Sequence, residues 1–292
     1  MSEEWKDYLK EMLFDRDPAN VDVQAANIFK RRFIPKKLYK YRTITKYALD
    51  NLVNNTLHLT TASRFNDPYD SALTVDPFRS KTGRDMIDGA IASAELGQID
   101  DVLRERIANY IDERNGRFRT ELQTSLISLT RDGYKLCSLS SRIDSTLMWS
   151  HYAKDHTGFA MEYEFKLLPI TDPVYRFLWP VIYTGEMLDM SFLFDDEVGS
   201  SIGLNGLYPI LAAMSKAKDW AYEEEWRLII PGSTEEKPYN LPVPKPTGIY
   251  IGAMTKATNI KRLANIAQKK GIPVFRMKLA ANEYRMEPQR VV

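Results

Sequence analysis

The chain has 292 residues, enough to bury a large hydrophobic core in one or two domains. Hydrophobic residues make up 44% and charged residues 27%, close to the averages of globular proteins, so neither intrinsic disorder nor a fibrous repeat is indicated. The formal net charge is +1, so nucleic acid or an anionic membrane could be attracted only by a local patch of charge.

The cysteine count and the N-terminus indicate the compartment. Cys137 is the only cysteine, which excludes an internal disulfide and a cysteine-based zinc site. The N-terminus is charged where a signal peptide would be basic and then apolar. No apolar run approaches the roughly 20 residues of a membrane-spanning helix. We therefore expect a cytoplasmic protein without a membrane partner.

Two regions are predicted to be helical additions to a central sheet. Residues 1–35 show two short amphipathic helices that separate near Pro18 and form an N-terminal cover. Residues 83–130 show a helical pattern with a predicted break at Asn115-Gly116. We interpret this second region as a helical insertion.

The remaining elements alternate between the two periodicities. Alternation predicts strands at residues 37–42, 56–60, 134–140, 158–165, 225–230, 247–252 and 272–278, the last being the final strand. Helical spacing predicts helices at 45–54, 145–154 (capped by Asp144), 207–218 and from Thr258, as the cap, to Gly271. Residues 63–70 are predicted to be a loop and residues 238–246 a Pro-rich linker.

The order of these elements indicates the fold class. Strands and helices interleave without regular βαβ spacing, and no internal repeat occurs. We predict a single α+β domain over residues 1–292, with a mixed, mostly antiparallel sheet and helices on its faces.

The segment Trp220-Ala-Tyr-Glu-Glu-Glu-Trp-Arg227 is the main candidate for chemistry. In a strand, Glu223 and Glu225 would share one face about 6 to 7 Å apart. Two such carboxylates raise each other's pKa, and aromatic neighbours that exclude water act in the same direction. The alternative is a solvated edge on which the glutamates pair with Lys216, Lys218 and Arg227. The flanking tryptophans favour a catalytic pair.

Residues 147–158 hold two of the three histidines, His151 and His156. They are five apart and do not share a helix face, and no cysteine or local acid completes a ligand set, so no metal site is predicted. His151 or Tyr152 is a candidate to hydrogen-bond a ligand. Equally, the segment is a packed helix whose histidines satisfy backbone groups.

The basic tract at residues 30–46 carries eight positive charges, no acid and interleaved aromatic residues. Such a tract binds phosphates of a nucleotide or a nucleic acid, or is simply solvated. Together with the acid-free span 237–282 it supports an alternative function, non-catalytic nucleic-acid binding. A third interpretation uses Trp149, Trp220 and Trp226 as anchors for a protein partner.

Six motifs occur in an order that resembles one bacterial family, the domain of unknown function 2971 (DUF2971), over roughly residues 36 to 255. They are Leu38-Tyr-Lys-Tyr-Arg42, Phe65-Asn-Asp-Pro-Tyr-Asp70, Cys137-Ser-Leu-Ser140, Met148-Trp-Ser-His-Tyr152, His156-Thr-Gly158 and Trp220-Ala-Tyr-Glu-Glu-Glu-Trp-Arg227. The family name assigns no activity.

The order of an arginine, a serine strand and Glu-x-Glu is also similar, more weakly, to ADP-ribosyltransferases of the Arg-Ser-Glu type. This similarity implies an enzyme that consumes NAD without a metal, with a protein or nucleic-acid acceptor, in a bacterial toxin or phage-defence setting. It implies that Arg42 binds the phosphate or ribose of NAD, Ser138 or Ser140 the nicotinamide ribose, and Glu225 the oxocarbenium-like transition state. Glu223 would orient the acceptor, His151 and Tyr152 would contact the cofactor, and Asn66 and Asp67 would form a substrate loop.

Overall fold

The computed structural model describes residues 4–76, 101–194, 205–232 and 239–291. The helices are α1 (Glu4–Leu13), α2 (Val23–Lys30), α3 (Lys46–Asn54), α4 (Asp101–Asp132), α5 (Thr146–Tyr152), α6 (Pro173–Arg176), α7 (Tyr208–Met214) and α8 (Ala257–Lys270). Short 3-10 turns cover Pro18–Asn20, Ala62–Arg64, Phe165–Leu167, Ser191–Phe194 and Lys218–Glu223.

The strands β1 to β14 follow in chain order. They are Leu38–Arg42, Thr56–Leu59, Leu73–Thr74, Tyr134–Ser140, Phe159–Tyr163, Leu178–Pro180, Ile182–Thr184, Leu188–Asp189, Ser215–Ala217, Glu225–Pro231, Tyr239–Pro242, Gly248–Ile251, Val274–Leu279 and Met286–Arg290. Eight of them form the main sheet in the order β14-β13-β12-β5-β1-β4-β10-β6.

Neighbouring strands of this sheet run antiparallel except for β12 and β13, which are parallel. The prediction of an α+β fold with a mixed, mostly antiparallel sheet is therefore confirmed. Its helices lie on both faces.

The register between strands decides which side chains share a face. Tyr39 lies opposite Ser140, and Ser140 lies opposite Glu225, so all three point to one side, called here the site face. Leu38 and Arg42 alternate with Tyr39 and point to the opposite face. The opposite face carries the larger apolar core, covered by α3 and α8, and the site face is covered by α1, α2, α5 and α7.

The N-terminal cover forms as predicted, with one helix before and one helix after a 3-10 turn that begins at Pro18. The insertion is corrected in part. Helix α4 continues through Asn115-Gly116, because a glycine in a helix interior costs only about 1 kcal/mol and strong helix formers flank it. Predicted residues 83–100 of the insertion lie outside the described residues. No described helix is both long enough and apolar enough to cross a membrane.

Four further predictions are corrected. The helix predicted for 207–218 ends at Met214, where β9 begins. The predicted linker contains β11, which pairs antiparallel with β2 in a separate two-stranded sheet, where an edge position tolerates Pro242. A strand, β14, follows the one predicted to be last. The caps also differ, since Ser145 rather than Asp144 caps α5, and α8 begins one residue before Thr258.

Candidate active site

An open cavity of about 230 Å³ lies on the site face, where β1 and β4 separate. These strands share a single register pair, Tyr39 with Ser140. Beyond it, Lys40 Nζ donates a hydrogen bond to the carbonyl oxygen of Ser138 at 2.8 Å. The walls are aromatic and the floor is charged. The lining includes Tyr39, Tyr41, Arg64, Phe65, Asn66, Ser138, Ser140, Tyr152, Lys216, Glu223 and Glu225.

A tight turn, and not strand alternation, brings the two glutamates together. Glu223 ends the 3-10 turn, and Glu224 adopts a left-handed conformation (φ 45°) before β10 starts at Glu225. As a result Glu223 and Glu225 both bond Lys216 Nζ, at 2.5 and 3.0 Å. The predicted pairing of these carboxylates is therefore present, but the prediction that Glu223 lies in the strand is wrong.

Behind the glutamates lies a buried ion network centred on Arg227. Its guanidinium donates to both oxygens of Asp70 (2.8 and 2.5 Å), to both oxygens of Glu225 (2.7 and 3.1 Å) and to the carbonyl of Ala213 (2.7 Å). Arg227 and Asp70 are 0% and 1% exposed. The alternative prediction placed the glutamates on a solvated edge, paired with lysines and Arg227. The pairs with Lys216 and Arg227 are present, but they are buried and not solvated.

The charges of this network do not balance. Three carboxylates, Asp70, Glu223 and Glu225, face two cations, Lys216 and Arg227, which leaves a formal charge of −1 in a buried site. A buried excess charge is unfavourable unless a proton or a ligand neutralises it. The network therefore has a place for one proton.

The pKa values indicate where that proton sits. Burial, followed by the charge of Glu225, raises the pKa of Glu223 to about 7, although Lys216 opposes the shift. Burial also acts to raise the pKa of Glu225, but Arg227 and Lys216 outweigh it and hold that pKa well below its usual range. Near neutral pH, Glu223 exchanges a proton while Glu225 stays ionised.

Tyr152 links Glu223 to helix α5. Its hydroxyl donates to Glu223 Oε1 at 2.5 Å, and burial, then the charge of Glu223, raises the pKa of Tyr152 so that it remains a donor. His151 is exposed and is not among the residues that line the cavity; its Nδ1 lies 3.0 Å from the hydroxyl of Tyr222. Of the two candidates on this helix, Tyr152 is the one that the cavity includes.

The two serines of β4 have different surroundings. The Ser140 hydroxyl donates to the carbonyl of Glu223 at 2.5 Å and accepts the amide N–H of Arg142 at 3.0 Å, so it holds the glutamate turn in place. Ser138 lines the cavity, and its hydrogen bond to Glu225 helps to lower the pKa of that carboxyl. Ser138 is the serine available to a ligand.

Arg42 does not share the cavity with these groups. It lies on the opposite face of the sheet, where its guanidinium is 3.5 Å from the side-chain oxygen of Asn51 and burial lowers its pKa. In the predicted substrate loop, Asn66 lines the cavity. Asp67 is instead buried and accepts the amide N–H of Tyr69 at 2.9 Å.

Three network members, Lys216, Arg227 and Asp70, were not predicted as site residues. The sequence holds a signal for Arg227, because it follows Glu225 by two residues in a strand and so shares its face. Lys216 was named only as a partner of the glutamates at a solvated edge, and no local signal identifies Asp70. Asp70 is 157 positions away from Arg227 in the chain.

Residues 148–228 match the family model described as a protein of unknown function (DUF2971). The match covers less than a third of the chain, and supports the DUF2971 resemblance over that stretch of the 36–255 expected. It includes residues 148–152 of α5, Lys216, both glutamates and Arg227, and it begins after Asp70 and the β4 serines. No curated protein and no solved structure matches the chain.

Proposed function

We propose that the protein is an enzyme that cleaves an N-glycosidic bond or transfers a glycosyl group, with NAD as the first candidate substrate. One observation supports this most directly. Two carboxylates that bond the same lysine at the floor of a cavity have pKa values displaced in opposite directions. Such a split is how proteins separate a proton-exchanging group from a permanently charged one.

In the proposed reaction the bond between the ribosyl carbon and the nicotinamide nitrogen breaks, and the electron pair leaves with neutral nicotinamide. Positive charge develops on the ribose, and carboxylates placed before the reaction stabilise it. A water or an acceptor hydroxyl then bonds to the ribosyl carbon and gives its proton to the ionised form of Glu223, which its pKa of about 7 makes available at neutral pH. Glu223 is therefore the acid–base group, and Glu225 positions Lys216. The similarity to ADP-ribosyltransferases had instead given the main role, stabilisation of the transition state, to Glu225.

The size and lining of the cavity limit what enters it. Pockets that enclose a drug-sized ligand measure about 300 to 1,000 Å³, whereas this cavity measures about 230 Å³. It accommodates a sugar and one flat ring, and the rest of a dinucleotide would lie outside. Tyr39, Tyr41 and Phe65 supply apolar surface for the ring. Arg64, exposed at the rim, takes the phosphate role first expected of Arg42.

The similarity to ADP-ribosyltransferases extends this proposal to an acceptor. We propose a bacterial enzyme that transfers ADP-ribose to a protein or a nucleic acid, or to water, in a toxin or phage-defence setting. The order of Ser138, Glu223 and Glu225 supports it, and the position of Arg42 does not. No metal enters the mechanism.

The test is nicotinamide release from NAD, measured by chromatography with and without protein and nucleic-acid acceptors. We expect Glu223→Gln to lower turnover about 10²- to 10⁴-fold, the usual contribution of a general acid or base. Glu224→Gln is the matched control, since it makes the same change one residue away on an exposed side chain that pairs with Arg142; it should stay within about twofold of wild type.

Two results would overturn the proposal. One is wild-type turnover at the level of buffer with every acceptor, and with nicotinamide mononucleotide and common nucleosides as further substrates. The other is equal turnover by wild type and Glu223→Gln, which would remove the proposed role of that carboxyl.

Nucleic-acid binding without catalysis receives less support. Five of the eight cations of the basic tract form hydrogen bonds or ion pairs with other parts of the chain: Lys30, Arg31, Lys37, Lys40 and Arg42. Affinity for RNA or DNA that falls steeply with salt would favour this alternative. The interpretation as a protein-binding module is also weakened, because Trp149 and Trp226 are buried.

A further inference from the structure

The positive charge of the chain is concentrated in one segment. Residues 239–282 contain eight lysines and arginines and no acid, while the whole chain has a net charge of +1, so the remaining residues together carry −7. The segment forms β11, β12, α8 and β13; strands β12 and β13 are neighbours near one edge of the main sheet, and α8 connects them. Such an asymmetry of charge is typical of proteins that bind a polyanion.

Helix α8 carries half of this charge along its outer side. Leu263 and Ala267 are buried in the core beneath the helix. At 100° per residue, the exposed polar residues of α8 fall within about 120° of one another around its axis. They are Thr258, Lys261, Arg262, Asn265, Gln268 and Lys269. Together with the exposed Lys256, which precedes the helix, the three cations among them form a surface that we call the basic face: Lys256, Lys261, Arg262 and Lys269.

No acid balances the basic face. Within the residues that the structure describes, none of its four cations forms an ion pair, and α8 itself has no acidic residue. The nearby strand β14 does not supply one, since Glu283 and Glu287 both pair with Arg285. Helix α3, which Lys270 bonds at the end of α8, has one exposed lysine and one exposed aspartate and adds no net charge.

The stability of α8 does not explain these cations. The N-terminal end of a helix is positive, so a cation there is unfavourable, and only a cation in the last turn gains from the dipole. Lys256 is the N-cap and gives the helix no side-chain hydrogen bond. Lys261 and Arg262 lie beyond the first turn and before the last. Of the four, only Lys269 is therefore favoured by the helix itself.

We propose that the basic face of α8 binds the phosphate backbone of a nucleic acid. From Lys256 to Lys269 the helix is about 20 Å long, and one strand of a duplex presents a phosphate every 3.4 Å along its axis, so several phosphates lie within reach. Asn265 and Gln268 are on the same side and can donate hydrogen bonds to phosphate oxygens. A membrane fits less well, because the exposed side of α8 has no large apolar side chain to insert between lipids.

The basic face is remote from the candidate active site. Helix α8 covers the opposite face of the sheet, whereas Glu223 and its cavity lie on the site face. A bound nucleic acid would be held by the protein without being presented to Glu223. The inference therefore goes beyond the proposed function and is compatible with it. It also differs from binding through the tract at residues 30–46, most of whose cations already bond other parts of the chain.

The test is fluorescence anisotropy of labelled single-stranded RNA and DNA of about 20 nucleotides, titrated with the full chain at several salt concentrations and without NAD. Both probes should bind, because phosphate contacts do not depend on sequence. Removing three charges together with Lys261→Gln, Arg262→Gln and Lys269→Gln should weaken binding at least about tenfold at low salt. The slope of log affinity against log salt should become shallower by about 2, at about 0.7 per lost contact.

A matched control removes the same number of positive charges elsewhere. Arg32→Gln, Arg117→Gln and Lys218→Gln change exposed residues outside α8, and together they should leave affinity within about twofold of wild type. A second control, Lys261→Arg with Lys269→Arg, keeps the charge and should bind as the wild type does. Glutamine is a good helix former, so the basic-face variant should keep α8, which circular dichroism checks.

Three results would overturn the proposal. They are no binding of either probe at low salt, wild-type affinity in the basic-face variant, and equal losses in the basic-face and Arg32/Arg117/Lys218 variants. Vesicles that contain phosphatidylserine provide the other arm. If they bind through the same three residues while RNA and DNA do not, the face belongs to a membrane and the proposal is wrong. Nicotinamide release enters none of these measurements, so this inference and the proposed function can fail separately.

Discussion

The two cavities differ in how fully their buried polar groups are satisfied. At the charged cavity, Arg227 and Lys216 each bond carboxylates, and the remaining negative charge is matched by a proton on Glu223. At a second, mainly apolar cavity beneath the N-terminal helices, lined by Trp179, Ile229 and Asn27 among others, the buried Asn27 Oδ1 has no hydrogen-bond donor among the described residues. In the first site every charged group has a partner, whereas the second leaves one buried acceptor unsatisfied.

This difference separates two effects on stability. Removing a member of a complete buried ion network leaves its partners charged and unpaired, which destabilises the fold strongly. Removing an unsatisfied polar atom takes away a group that already disfavours folding. Substitutions that remove a cation from the charged cavity should therefore destabilise the fold. Substitutions that remove the unmatched negative charge of the charged cavity, or the unsatisfied oxygen at the second cavity, should stabilise it.

The largest effect is expected at Arg227. Arg227→Gln leaves Asp70 and Glu225 with Lys216 as the only cation beside three carboxylates, so we expect a loss of about 3 to 5 kcal/mol in the free energy of unfolding. Urea unfolding followed by circular dichroism measures it. The same substitution at Arg142 is the control, since Arg142 also pairs with two carboxylates but at the surface; it should cost about 1 kcal/mol or less. Similar losses for both would show that burial of the network contributes little.

The next effect is a pH dependence at Glu223. The pKa of Glu223 is about 7 in the folded chain against 4.5 for an ordinary glutamate, so between these values the unfolded chain has released a proton that the folded chain keeps. Raising the pH through this window lowers the stability of the wild type, and Glu223→Gln does not titrate there. We expect the variant to gain up to about 3 kcal/mol relative to wild type between pH 4.5 and 7, with no further gain above.

Urea unfolding at pH 5, 6, 7 and 8 measures this difference. Glu224→Gln, with its exposed side chain, should follow the wild type at every pH. If the wild type and Glu223→Gln have parallel pH profiles, Glu223 does not hold the extra proton and the assignment of the acid–base group is wrong.

Much of the sheet was predictable because alternation is a local property. The strand predicted at 134–140 coincides with β4, and the one predicted at 225–230 differs from β10 only by Pro231. The face on which a residue lies relative to another strand is not local. Arg42 was expected beside Glu225, but the register of Tyr39 with Ser140 places it on the other side of the sheet. A change of register by one residue would have reversed the outcome.

The candidate site shows the same limit. Glu223 and Glu225 were identified from composition, and they do converge, yet through a left-handed Glu224 that strand alternation does not anticipate. The cations that shift their pKa values, Lys216 and Arg227, come from the neighbouring β9 and from β10 itself. The third carboxylate, Asp70, comes from a loop 157 positions from Arg227, and that contact depends on the folded arrangement of the whole sheet.

The smallest effect compares two buried asparagines. Asn27→Leu removes the unsatisfied Oδ1 in the wall of the second cavity and improves helix propensity in α2, so we expect a gain of about 1 kcal/mol in the free energy of unfolding. Asn51 is also buried in a helix, but its amide bonds Thr56 and Asn240 and accepts from Arg42. Asn51→Leu should therefore lose about 1 to 3 kcal/mol. Thermal unfolding of both variants measures the pair, and a loss at both positions would mean that Asn27 Oδ1 has a partner such as a bound water.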